Sequence, residues 1–182
     1  MQLTLLRHGT TTWNDQRLIQ GQSDASQLTA AGRDQIRAVV PALREREPDL
    51  LIASDLSRAW ESAQIVAEVL DLEPVRDARL RERAFGTYEG RPLDDLEPPL
   101  SGLAQGRVVD VDAHPPLGES LTAMRLRLAD FLDDLARRAP SRPLLVTHGG
   151  TIRVLRALCE SRDLTSTTWY PVTNASLWDV TW

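Results

Sequence analysis

Along the chain, short solid apolar runs alternate with longer stretches of helical period. Leu3-Thr4-Leu5-Leu6 stops abruptly at Arg7-His8-Gly9, which predicts a buried strand with two functional side chains at its tip. Asp49-Leu50-Leu51-Ile52-Ala53 is a second such run, ending in Ser54-Asp55, and Pro143-Leu144-Leu145-Val146-Thr147 a third, ending in His148-Gly149-Gly150. Between them, Ile36, Val39, Val40 and Leu43 recur at i, i+3, i+4, i+7 behind Thr29, a good N-cap. Pro41 should kink that helix or mark its last turn. A second helix carries Ala59, Ala63, Val66, Ala67 and Leu70, with Ser54 and Asp55 as its capping residues. Ser120 caps a third with a stripe of Leu121, Met124, Leu128, Phe131, Leu132 and Leu135, and Ile152, Leu155 and Leu158 mark a fourth. A short strand is expected over 74–80. Residues 11–27 read as a polar loop, and 91–117, rich in Pro and Asp, as an irregular excursion with at most a short helix near 92–96. Near the end, Trp178, Val180 and Trp182 alternate with Leu177, Asp179 and Thr181, a half-buried strand at or near a sheet edge. Trp178 and Trp182 are expected in the core or under a helix.

Strands alternating with helices predict a three-layer α/β/α sandwich, its central sheet mostly parallel with an antiparallel edge strand. The 182 residues suffice for one core, so one domain over 1–182 is expected. Open α/β sheets carry their chemistry at the carboxyl ends of the strands. His8 and His148 both sit there, and Arg58 lies one helical turn beyond the second strand.

Composition narrows the classes. Hydrophobic residues make up 42% and charged residues 26%, as in ordinary globular proteins. The formal net charge of −5 speaks against a duplex-binding protein, though a local arginine cluster can still take a small anion. All 21 basic residues are arginine, which excludes lysine-based Schiff-base chemistry. The lone Cys159 cannot form an internal disulfide and reads as a core thiol. No apolar run approaches the roughly 18 residues of a membrane span, and no charged-then-apolar leader precedes the first strand. A soluble, cytoplasmic protein is expected, without nucleic-acid or membrane partners, as a monomer or homodimer.

Two histidines, two arginines and a carboxylate at one rim suit phosphoryl transfer. The guanidinium fork matches phosphate oxygens, and a neutral imidazole can attack phosphorus to form a phosphohistidine. His8 is the candidate nucleophile, Arg7 and Arg58 the clamps and Glu82 the proton donor and later base. Glu82 lies among Arg79, Arg81 and Arg83, so a surface ion-pair cluster is the competing reading. His114 reads as an exposed loop residue; Arg91 and Arg107 could meet a second anionic group of a substrate. Two histidines and a glutamate could also make a zinc site, but they lack a local metal-binding spacing and the arginines would repel the ion. Neither cofactor nor metal is expected.

Leu6-Arg7-His8-Gly9 with Thr12-Trp13-Asn14 resembles the signature of the histidine phosphatase superfamily, the phosphoglycerate-mutase-like proteins. Four further motifs follow in family order: Ser54-Asp55-Leu56-Ser57-Arg58-Ala59; Leu80-Arg81-Glu82 with Phe85-Gly86 and Glu89-Gly90; Gly118-Glu119-Ser120; and Val146-Thr147-His148-Gly149-Gly150. The resemblance implies a phosphoryl group carried on His8, held by Arg7, Arg58 and His148, with Asn14, the Gly149 backbone and Gly21 adding contacts and Glu82 donating the proton. The rim loop from Gly21 to Thr29 is one residue longer than the family pattern and lacks its proline. Mutases resemble longer chains with a basic insertion after the acid motif, whereas Pro92 to Pro99 is short and acidic. A phosphomonoesterase acting on a small phosphorylated metabolite is therefore expected, similar to α-ribazole phosphatases and broad-specificity phosphatases. The alternatives are a mutase-type phosphotransferase on the same pocket and a catalytically silent phospho-ligand binder.

Overall fold

All three apolar runs become central strands. The structure, a computed structural model, describes residues 1–104, 106–166 and 169–182. Its elements are β1 (Gln2–Arg7), α1 (Thr12–Asp15), α2 (Ala30–Glu45), β2 (Leu50–Ala53), α3 (Ser57–Leu70), β3 (Pro74–Arg76), α4 (Pro98–Ser101), β4 (Leu103–Ala104), β5 (Arg107–Val108), α5 (Leu121–Arg138), β6 (Pro143–Thr147), α6 (Gly149–Cys159) and β7 (Leu177–Thr181). The main sheet has the order β3-β2-β6-β1-β7. Strands β1, β6, β2 and β3 run parallel, and β7 pairs antiparallel with β1, placing Trp178 opposite Leu5. This is the mostly parallel α/β sheet with an antiparallel edge that the pattern predicts.

The apolar runs are solid because both faces of the sheet are covered. Side chains alternate across a strand, so Leu3 and Leu5 of β1, Ile52 of β2 and Leu145 of β6 pack with α5 and α6 residues such as Met124, Leu128, Phe131, Ile152 and Leu155. Leu6, Leu51, Ala53, Leu144 and Val146 face the other way, onto Ile36, Val40 and Leu43 of α2 and Ala59, Ala63 and Val66 of α3. Removing the large side chains of either set from water supplies the main drive for folding, roughly 1.5–3 kcal/mol for each Leu or Ile.

Thr29 and Ser120 cap α2 and α5 as expected, their hydroxyls accepting from the N–H groups of Gly32 and Ala123. Helix α2 runs on through Pro41 to Glu45. Several expectations need correction. Ser54 and Asp55 do not cap α3: its N-cap is Leu56, and the Ser57 N–H is met instead by Asp24 Oδ1 from the rim loop at 2.8 Å. Ser54 and Asp55 are engaged elsewhere, with His148 and Arg81. The 74–80 segment is a three-residue strand followed by a 3-10 turn at Ala78–Leu80. The 11–27 loop contains the short α1. Trp178 packs partly against the core, but Trp182, past the end of β7, is 37% exposed.

Within the 91–117 excursion lie a 3-10 turn at Leu93–Asp95, the α4 turn and a small β4–β5 hairpin. One buried arginine organises it. Arg83 donates to the carbonyls of Ser101, Ala113 and Glu119, and so ties the excursion to the residue after Glu82.

Candidate active site

Hydrogen bonds between neighbouring strand tips bring the site together. The His8 N–H donates to Thr147 O at 3.0 Å, and the Ser54 N–H to Val146 O at 3.0 Å. The ends of β1, β6 and β2 therefore lie side by side, presenting Arg7-His8, His148 and Ser54 to one rim. His8 and His148 are both buried, their ring centroids 5.2 Å apart and tilted by 60°.

Each imidazole is held in a defined protonation state. His8 Nδ1 lies 2.8 Å from Gly9 O. A carbonyl can only accept, so Nδ1 carries the proton and Nε2 the lone pair. His148 Nε2 lies 2.9 Å from Ser54 Oγ, which also accepts from the Leu56 N–H. The buried Ser54 hydroxyl has no other acceptor among the described residues, so its proton goes to Nε2 and His148 carries its own proton on Nδ1. Burial, and after it the charges of Arg7 and Arg58, pushes the His8 pKa well below 6.5. For His148 burial again dominates, followed by Arg58, His8 and Arg7. Both rings are therefore neutral at neutral pH.

The arginines are fixed from behind. Arg58, 1% exposed, donates through its terminal nitrogens to Ser23 O at 2.9 Å and Gly21 O at 2.7 Å. The longer rim loop thus acts as the anchor of Arg58. Gly21 contributes its carbonyl here, and its φ of +50° and the Glu89 carboxylate beside it leave no room for a Cβ. Arg7 donates through Nη1 to Val172 O. Burial lowers the pKa of Arg7 and of Arg58 to about 10, so both stay charged at neutral pH.

Three buried polar atoms have no partner among the described residues: Arg7 Nε, Arg58 Nε and His148 Nδ1. All three are donors. Buried donors are almost always satisfied in a folded protein, and two of these carry charge. The missing partner is an acceptor, and the chemistry of the set calls for a multivalent oxyanion. The side chain of Arg7 also passes the start of α6, its Nε 3.6 Å from where a Cβ on Gly149 would sit. The N-terminal end of α6 adds the positive end of its dipole to the same field.

Glu82 is not the surface ion-pair residue of the competing reading. Arg79 pairs with Asp77, Asp130 and Asp134, and Arg81 with Asp55. Glu82 Oε2 instead accepts from the Gly150 N–H at 2.8 Å and Oε1 from the Arg83 N–H at 2.9 Å. Its backbone carbonyl accepts from Gln22 Nε2 and Arg127 Nη2. The carboxylate thus sits at the head of α6, where its charge raises the pKa values of Arg7, Arg58 and Arg153 against the larger effect of burial.

Asn14 lies on α1, where its Oδ1 accepts from the N–H and hydroxyl of Thr11. With the oxygen so committed, its Nδ2 makes no hydrogen bond among the described residues. Of the remaining candidates, His114 is exposed and faces Pro115 O. Arg91 stacks on Tyr88 at the surface, and Arg107 lies exposed on the small hairpin. Cys159 is half-buried, with burial raising its thiol pKa to about 11.

Sequence reasoning missed Ser54 as a partner of His148, Asn174 behind the His8 backbone, and Arg153. The last is largely buried against Trp169 and Tyr170, with Nε donating to Tyr170 O. Its position five residues after His148, on the first turns of α6, was the signal that could have found Arg153.

Comparison with known proteins agrees with this geometry. A family model for the histidine phosphatase superfamily (branch 1) matches residues 3–182. A protein of Yersinia enterocolitica named probable phosphoglycerate mutase GpmB is 40% identical over 158 residues, covering 82% of this chain and 70% of that protein. Among solved structures, mycobacterial glucosyl-3-phosphoglycerate phosphatase in complex with VO3 superposes with a TM-score of 0.88 at 30% identity, covering 99% of this chain and 92% of the other. TTHB049 from Thermus thermophilus gives a TM-score of 0.75 at 33% identity, covering 100% and 94%.

Proposed function

Given that the chain belongs to the histidine phosphatase superfamily, branch 1, we propose that it is a phosphomonoesterase working through a phosphohistidine on His8. The observation that carries this reading is the trio of unpartnered buried donors, Arg7 Nε, Arg58 Nε and His148 Nδ1, gathered around a histidine whose Nε2 holds a lone pair.

In the first step His8 Nε2 attacks phosphorus and the bond to the ester oxygen breaks. Charge on the three equatorial oxygens is met by Arg7, Arg58, His148 Nδ1–H, the Gly149 N–H and the Asn14 amide. The departing oxygen takes the proton of the Glu82 carboxyl group. In the second step Glu82, now a carboxylate, removes a proton from a water, whose oxygen attacks phosphorus as the P–N bond breaks and the electron pair returns to Nε2. His8 stays oriented throughout because Nδ1–H remains on Gly9 O.

Hydrolysis is favoured over transfer because the segment after Gly90 carries Asp94, Asp95 and Glu97 and its 3-10 turn is exposed. Such a segment does not hold a bisphosphate. The mutase reading draws support from the name of the Yersinia relative, and interconversion of monophosphoglycerates with little free phosphate would favour it. The mycobacterial relative's name puts phosphorylated glycerate derivatives first in a substrate panel.

The test is phosphate release from p-nitrophenyl phosphate in the presence of EDTA. The wild-type protein is expected to be active, and His8→Ala to lose at least ~10³-fold in kcat. Equal activity in the two proteins removes the reading.

A further inference from the structure

One turn braces the tip of β1 from behind, and the phosphoryl-transfer steps give it no part. Residues 172–176 meet Arg7, His8 and Gly9 at every level. Val172 O accepts from the Arg7 guanidinium, and Ser176 O from the Arg7 N–H at 3.1 Å. The Ala175 N–H donates to the carbonyls of Arg7 and His8 at 3.1 and 3.2 Å. Ala175 does so with φ of +56°, a left-handed conformation unfavourable for a residue with a Cβ.

At the centre of this turn is Asn174. Its Nδ2 lies 3.1 Å from His8 O, 3.2 Å from Gly9 O and 3.2 Å from Asn14 Oδ1. The orientation of both amides follows from their neighbours. Asn14 Oδ1 faces the Thr11 N–H, which can only donate, and Asn174 Nδ2 faces two carbonyls, which can only accept. Two of these three contacts bear on atoms already assigned to chemistry. Gly9 O is the acceptor that holds the His8 Nδ1 proton, and Asn14 Oδ1 is the atom whose contacts fix the orientation of the Asn14 amide, which the proposed mechanism assigns to the phosphoryl oxygens.

We infer that Asn174 is a positioning residue for phosphoryl transfer, coupling the tautomer-fixing carbonyl of the nucleophile to the orientation of Asn14. This rests on the phosphatase reading above. Asn174 acts through Gly9 O and Asn14, so removing it lets the imidazole and the Asn14 amide reorient separately. The number of ion pairs and the hydrophobic core remain as they were.

The experiment is a double-mutant cycle of Asn174→Ala and Asn14→Ala on p-nitrophenyl phosphate hydrolysis, with thermal melting of each variant. Asn174→Ala is expected to lower kcat at least ~10-fold with KM within ~3-fold, and to cost much less in the Asn14→Ala background. Asn174→Asp, of the same shape, sets an oxygen against three oxygens and is expected to lose at least as much as Asn174→Ala. A purely structural turn residue would lower the melting temperature without this coupling. If Asn174→Ala does not fold, Asn174→Ser, which retains one hydroxyl donor, carries the same comparison. A kcat within ~3-fold of wild type, or an equal loss in both backgrounds, overturns the inference. An inactive wild-type protein, or an active His8→Ala, defeats the phosphatase reading instead.

Discussion

The proposed attack on phosphorus needs a neutral His8, and its surroundings keep it so. Burial lowers its pKa first, and the flanking charges of Arg7 and Arg58 lower it further. The sign follows directly: a depressed pKa keeps the nucleophile competent to lower pH. The acid limb of kcat/KM, corrected for ionisation of the substrate, is therefore expected below pH 6.5. A limb at or above 6.5 contradicts the assigned environment. Most of these residues were legible in the sequence because their types are chemically committed: Arg7, His8, Arg58, Glu82 and His148 sit at strand tips or in motifs. Ser54 and Asn174 were not. Ser54 was read as a helix cap because Ser before an apolar period commonly is one, and the structure spends its hydroxyl on His148. Asn174 acts on backbone carbonyls more than a hundred residues away in the chain, and such contacts leave no local pattern.

Between elements, the strand tip is positioned by a close approach to α2. A Cβ on Gly9 would lie 2.3 Å from Gly32 O, and one on Gly32 would lie 2.1 Å from Thr10 O. Both obstacles are backbone, which cannot swing aside as a side chain would. The Thr29 cap, with its hydroxyl on Thr10 O at 3.2 Å, fixes the same junction. Gly32→Ala is expected to destabilise the fold by on the order of 2 kcal/mol and to lower activity by displacing Thr10 and Gly9. Urea unfolding measures the first effect, and an unchanged midpoint contradicts it. Helix starts at Thr29 and Ser120 were legible because side-chain caps are local. The start of α3 is not legible because the acceptor of its Ser57 N–H, Asp24, comes from a distant loop. The excursion after Gly90 shows no period because Arg83 holds it through backbone carbonyls, and its apolar anchors, Val108 with Leu103 and Val111 beside it, are too few and too irregularly spaced to make one.

Across the whole molecule, both covered faces of the sheet, though not its strand order with β6 between β2 and β1, follow from the alternation of apolar runs and helical stripes. The exposure of Trp182 does not: its backbone still exchanges hydrogen bonds with Met1, yet its side chain lies exposed past the end of β7. Among the described residues, no helix is long and apolar enough to cross a membrane. Burying two neutral histidines also ties stability to pH. Their folded pKa values lie well below 6.5, so the unfolded chain binds these protons first. Their contribution is complete above about pH 7 and declines as the pH falls through 6.5. Asp55 and Asp179, whose pKa values are lowered chiefly by hydrogen bonds from Arg81 and Arg46, add losses only below 3.8. Urea midpoints at pH 7.5 and pH 5.0 are expected to differ accordingly; equal midpoints would mean that a histidine is charged in the folded state.

A covalent phosphoryl group on His8 is the species on which the proposed chemistry stands or falls. Quenching the enzyme in alkali during turnover of p-nitrophenyl phosphate, then mapping the phosphorylated peptide by mass spectrometry, detects it. The expected result is an acid-labile, alkali-stable phosphate on the peptide containing His8, absent from His8→Ala. A phosphate on another residue, or turnover of the wild-type protein with no phosphoenzyme even on the millisecond scale, would contradict it.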